Sequence, residues 1–131
     1  MKPGQKERFL RRNKILHGLR ETIPRVLGSG TKLYEVYYAK NPRFLCPPKF
    51  NITDYRHVIN LEADNLDQVF HYMQAEIWSR NGEAKPLIQE LDLNHTSMSV
   101  GDIIKEQYFN GKEWVVVWSM VDILGFKEVK C

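Results

Sequence analysis

The chain has 131 residues and a mass of 15.4 kDa, with 43% hydrophobic, 11% aromatic and 27% charged residues. These are the proportions of one soluble globular domain, large enough to bury a core and too small for two. The absence of any apolar run of about 18 residues excludes a membrane-spanning helix. The first 30 residues are basic and lack an apolar h-region, which predicts no secretory signal peptide.

Charge is distributed unevenly. Residues 1–32 hold nine basic side chains (Lys2, Lys6, Arg8, Arg11, Arg12, Lys14, Arg20, Arg25 and Lys32) against Glu7 and Glu21, a net +7. Residues 33–131 hold ten basic and 14 acidic side chains, a net −4, so the overall +3 conceals a basic arm on a mildly acidic body. Such an arm is an electrostatic footprint for phosphate, in nucleic acid or elsewhere, and Lys6, Arg8, Arg11, Arg12 and Lys14 are its candidate contacts. An arm of this kind can equally dock on the acidic body. Phe9, Ile15, Leu16, Leu19 and Ile23 lay a partial apolar stripe along a helix that Pro24 ends. Gly28-Ser29-Gly30 then makes a joint, dividing the chain into an arm over 1–32 and a single domain over 33–131.

Within the domain, residues 33–40 are rich in aromatic and β-branched side chains and predict a strand, which Asn41-Pro42 ends. Pro47-Pro48 keeps the next stretch extended. A second strand is expected over 56–63. Asp64 or Asn65 then caps a helix over 65–80, along which Leu66, Val69, Phe70, Met73, Ile77 and Trp78 share one face, with Gly82 as a left-handed C-terminal cap. Residues 86–91 read as either a helical turn or a short strand. A turn at Val100-Gly101-Asp102 launches a strand to about Phe109. Asn110-Gly111 predicts a type I′ hairpin, Trp114–Trp118 the return strand, and Gly125–Val129 a last strand. The fold expected is α+β: a mostly antiparallel sheet of about five strands, one long covering helix and a basic N-terminal helix. Trp114, Val116 and Trp118 share a strand face by the two-residue period. They are expected to pack under the helices with Trp78 and Phe70 opposite, in preference to stacking bases.

Candidate chemistry concentrates in His95-Thr96-Ser97-Met98-Ser99-Val100-Gly101-Asp102. Ser97 or Ser99 with His95 and Asp102 supplies the residue types of a nucleophile, its base and an orienting acid. No glycine-flanked nucleophile elbow accompanies them, and turn chemistry accounts for each residue: hydroxyls satisfying backbone groups, Asp102 capping the turn. No catalytic residue is therefore assigned, and His95, Thr96, Ser97, Ser99 and Asp102 stand as candidate ligand contacts. His17, His57, His71 and His95 are too scattered for a metal set, and neither glycine-rich phosphate-loop pattern occurs. No cofactor or metal is expected. Two cysteines without a C-x-x-C pair, Cys46 and Cys131, fit a reducing cytoplasm.

The run Leu87-Ile88 … Leu93-Asn94-His95-Thr96-Ser97-Met98-Ser99-Val100-Gly101-Asp102-Ile103-Ile104, followed by a hairpin and Gly125-Phe126, resembles small uncharacterised phage and mobile-element proteins. It is similar to the YodL-like group, which carries an M-S-V-x-D segment before a hairpin and a terminal G-F. Asp67–Gln74 and Trp78–Glu83 share the likeness, which covers residues 33–129 and not the arm. The resemblance implies a phage or mobile-element setting more than a mechanism. The resulting expectation is a small non-enzymatic binding protein acting in the host cytoplasm on a host protein or a nucleotide-like ligand, with counter-defence or host regulation as its role. The alternatives are nucleic-acid binding through residues 2–32 and a nucleotide-processing enzyme using His95 and Asp102. A homo-oligomer is left open, and no membrane partner is expected.

Overall fold

The computed structural model describes residues 32–41 and 49–130. The helix expected in the basic arm, with Lys6, Arg8, Arg11, Arg12 and Lys14, lies outside these residues, as do Cys46 and Cys131. Five strands form one antiparallel sheet in the order β2-β1-β3-β4-β5: β1 (Lys32–Ala39), β2 (Tyr55–Ala63), β3 (Ile103–Phe109), β4 (Trp114–Asp122) and β5 (Gly125–Val129). A single 3₁₀ turn at Ile52–Asp54 precedes β2. The α+β class and the five strands expected from the pattern are those observed.

The connection from β2 to β3 carries the helices across one face of the sheet: α1 (Leu66–Tyr72), α2 (Ala75–Trp78) and α3 (Lys85–Glu90). Alternation along β1 turns Tyr34, Val36 and Tyr38 toward them, where they join Leu61, Ile104, Val69, Met73, Trp78 and Leu87 in the main core. On β2 the register slips between Val36 and Tyr37, leaving Val58 as an extra residue. This bulge lets two successive residues, Val58 and Ile59, be fully buried, and it bends an edge strand away from straight pairing.

Three sequence expectations are corrected. The helix predicted over 65–80 is two helices. Asn65 caps the first, its Oδ1 accepting from the Gln68 N–H at 2.8 Å. The helix then stops at Met73, and Gln74 is extended (φ −76°, ψ 138°) before α2 begins. No proline or glycine marks this break. Accordingly Ser79 caps α2, and Gly82 (φ +83°) closes the turn beyond it. The hairpin at Asn110-Gly111 is a four-residue loop, not type I′: Phe109 pairs with Trp114, and of Asn110 and Gly111 only Gly111 has a positive φ, +99°. Asn110 shapes the loop with its side chain, Oδ1 accepting from the N–H groups of Lys112 and Glu113.

The third correction concerns the tryptophans. Trp114, Val116 and Trp118 lie on the face opposite the helices, the one carrying Ile103, Met120 and Val129. Trp118 packs there against Phe50 (5.0 Å between ring centroids) and Tyr37 (5.4 Å), with the Lys105 ammonium 5.4 Å above its ring. Of the three tryptophans only Trp78 is under the helices, fully buried.

Candidate functional site

The segment from His95 to Asp102 runs along the end of β1 and into the break between α1 and α2. Residues there take up the backbone groups that the interrupted helix leaves open. The Met98 N–H donates to the Met73 carbonyl at 3.1 Å, and the Ala75 N–H donates to the Ser97 hydroxyl at 2.8 Å. Gln74 Nε2 bridges the Phe70 and Met98 carbonyls. The Thr96 carbonyl accepts from the Tyr38 hydroxyl (2.7 Å) and from Trp78 Nε1 (3.1 Å), so two buried aromatic donors end on one backbone oxygen. The Ser99 hydroxyl donates to the Ser97 carbonyl.

Asp102 is the anchor of the segment. The Asp102 N–H donates to the Ser99 carbonyl, closing a turn whose third residue, Gly101, takes φ +96° as a type II turn requires. The Asp102 side chain is fully buried. Oδ1 accepts from the Ala39 N–H of β1, and Oδ2 accepts from the Ser99 N–H and meets His95 Nε2, all at 2.8 Å. Burial pushes this carboxyl above its ordinary range; the His95 contact and the two backbone donors offset only part of that. The His95 ring stacks on Tyr38, centroids 4.6 Å apart and planes 15° from parallel. Burial, helped by the Asp102 charge, pushes the Tyr38 hydroxyl well above its ordinary value.

Of the five candidate contacts, the fold brings the His95 and Asp102 side chains together, with the Ser99 N–H on the same Asp102 oxygen, and turns the three hydroxyl side chains elsewhere. Ser97 serves the helix break, Ser99 its own turn, and Thr96 offers its carbonyl to the core. A nucleophilic triad needs the second imidazole nitrogen on a hydroxyl. Here His95 Nδ1 is buried and has no hydrogen-bond partner among the described residues. The pair therefore holds a turn to β1 and presents no nitrogen to a substrate. Among the described residues no group of three or more His, Cys, Asp or Glu is placed to hold a metal, and no helix is long and apolar enough to cross a membrane.

A second feature was not singled out from the sequence. β1 pairs with β3 only as far as Glu106, and β5 pairs with β4 only as far as Trp118. Among the described residues, 107–117 therefore extend beyond the paired stretches of both neighbours as a two-stranded ribbon, about three residues or 10 Å long. Its side chains are large, apolar and open: Tyr108 is 44% exposed, Phe109 55%, Trp114 70% and Val116 43%, with Leu33 of β1 58% exposed beside them. Phe109, Trp114 and Val116 share one face by register, with the Phe109 and Trp114 rings 5.7 Å apart. Paired charges stand at the base, Lys105 with Glu35 and Lys32 with Glu106, both at 3.6 Å. The aromatic residues flanking Asn110-Gly111 were the available sequence signal.

No protein-family model, curated protein or solved structure matches the chain.

Proposed function

We propose that this chain is a small binding protein, not a catalyst, and that its partner is a protein engaged by the ribbon of β3 and β4. The observation that carries this reading is the open cluster of Leu33, Phe109, Trp114 and Val116. Contiguous apolar surface of this kind marks interaction sites, and aromatic anchors supply much of the energy at protein interfaces. Charges at its base are mixed in sign and already paired, which suits a protein surface better than a phosphate backbone. The shielded ring nitrogen of His95 speaks against the enzyme reading. In the phage or mobile-element setting implied by the resemblance to the YodL-like group, the partner is a host protein met in the cytoplasm, and counter-defence or host regulation is the role.

The experiment is affinity capture from host lysate with the wild type and with the double variant Phe109→Ala, Trp114→Ala. One protein retained by the wild type and lost from the folded double variant is the expected result; equal retention by both overturns the reading. A second reading, nucleic-acid binding, is favoured by the +7 charge of residues 1–32. It requires an elevated ratio of absorbance at 260 nm to 280 nm in the purified protein and an affinity that falls steeply with salt. Salt-independent binding would remove it.

A further inference from the structure

We infer that the cleft where β1 and β3 cease to pair is the seat of this chain's own basic arm, with Arg12 set on Glu106. The inference goes beyond the ribbon's proposed role, because the cleft lies on the other side of the ribbon from Phe109, Trp114 and Val116. The helices seal their face of the sheet incompletely. Of β3 and β4, only Ile104 and Val121 join the main core beneath them. By strand alternation Glu106, Tyr108, Val115 and Val117 continue that face onto the ribbon. There a cleft of about 610 Å³ opens, lined by Lys32, Leu33, Glu106, Gln107, Tyr108 and Val117.

The cleft is acidic. Glu106 is half-buried and stands 3.6 Å from Lys32, the one cation among the lining residues. Burial raises the Tyr34 hydroxyl above its ordinary value, and Glu106 and Asp64 raise it further, so both carboxylates stand close to it. Asp67 adds a third, exposed in the first turn of α1.

The segment ahead of β1 has the complementary sequence. Residues 1–32 carry +7. Phe9, Arg12, Leu16, Leu19 and Ile23 recur at spacings of three, four, three and four, which is one helical face. Arg12 is therefore a cation inside an apolar stripe. Such a cation is costly against purely apolar surface and is stabilised by a carboxylate opposite. The cleft offers both, with Leu33, Tyr108 and Val117 beside the Glu106 carboxylate, whose two oxygens can serve Lys32 and Arg12 together. The chain also enters at this spot, since Lys32 both begins β1 and lines the cleft. The eight residues from Pro24 to Thr31 reach at most about 27 Å. A site so close to its tether meets the segment at an effective concentration on the order of millimolar. That proximity selects the chain's own arm over a free partner.

Amide exchange of the whole chain, read by mass spectrometry, tests this. In wild type the amides of residues 9–23 are expected to exchange about tenfold or more slower than in an unstructured peptide, at a rate independent of protein concentration. Arg12→Glu, which sets two like charges together, should abolish that protection. Adding Glu106→Arg to that variant should restore it. Tyr108→Asp should abolish it while leaving both charges in place. If Glu106→Arg disturbs the sheet, Arg12→Glu still decides, because it lies in the arm. Unprotected arm amides in wild type, protection indifferent to Arg12→Glu or to Tyr108→Asp, or protection that grows with protein concentration overturns the inference. Loss of a captured partner on Phe109→Ala, Trp114→Ala is read on the opposite face, so the binding reading stands or falls separately.

Discussion

Asp102 shows how much one buried carboxylate can organise. It accepts from Ala39 and Ser99 and meets His95, joining β1, the turn before β3 and the segment at the helix break. Asp102→Ala would strand two backbone donors, the buried Ala39 N–H and the half-buried Ser99 N–H, at about 1–3 kcal/mol each. The expected loss is therefore about 3 kcal/mol or more in urea unfolding, and a loss below about 0.5 kcal/mol would contradict the anchoring role. Its pH dependence has a definite sign. Burial raises the folded-state carboxyl above its ordinary 3.8, so the folded chain holds that proton more tightly than the unfolded one. The resulting stabilisation is fully present below the unfolded value and is lost as pH rises through the folded one. Thermal unfolding of wild type and Asp102→Asn across acid pH should show the wild-type advantage shrinking as pH rises. A growing advantage would mean the carboxyl is lowered instead.

At the scale of elements, the break at Gln74 and the ribbon are both decided by what lies beside them. The chain from Leu66 to Trp78 keeps a helical apolar period because both α1 and α2 bury their inner sides on the same sheet. The period therefore carries no trace of the interruption. What stabilises the break is Ser97 and Met98, more than twenty residues away, filling the open backbone positions. Ser97→Ala leaves the Ala75 N–H without its acceptor and should cost about 1 kcal/mol, in the range of a lost helix cap. Native-state hydrogen exchange should place the change at α2 rather than across the sheet. The ribbon loop depends on Asn110, whose Oδ1 holds two amides. Asn110→Ala should loosen residues 107–117 while leaving the pairing of β1 with β2 unchanged, as measured by amide exchange.

For the whole molecule, the two faces of the sheet have different fates. One is sealed by α1–α3 and holds Trp78 at 0% exposure; the other runs out to Trp114 at 70%. Truncating each to alanine should separate fold from function. Trp78→Ala should cost about 3–5 kcal/mol, as large core truncations do. The double variant Phe109→Ala, Trp114→Ala should change stability by less than about 1 kcal/mol and still abolish partner retention. A double variant that unfolds would show instead that the ribbon is part of the core.

By itself the sequence determined the α+β class, the places of the five strands, a helix cap at Asp64 or Asn65 and the compact polar cluster ending at Asp102. All of these follow from short-range periodicity and turn chemistry, which a local stretch of residues contains. Only the tertiary structure decided which sheet face the helices cover, that the helix divides at Gln74, that His95 turns its nitrogen to Asp102 instead of to a hydroxyl, and that Trp114 stands in the open. Strand alternation says which residues share a face and is silent on which face is sealed. Helical periodicity is blind to a break whose backbone groups are satisfied by a distant segment. Both questions are settled by long-range packing, where residues far apart in the chain compete for the same buried volume.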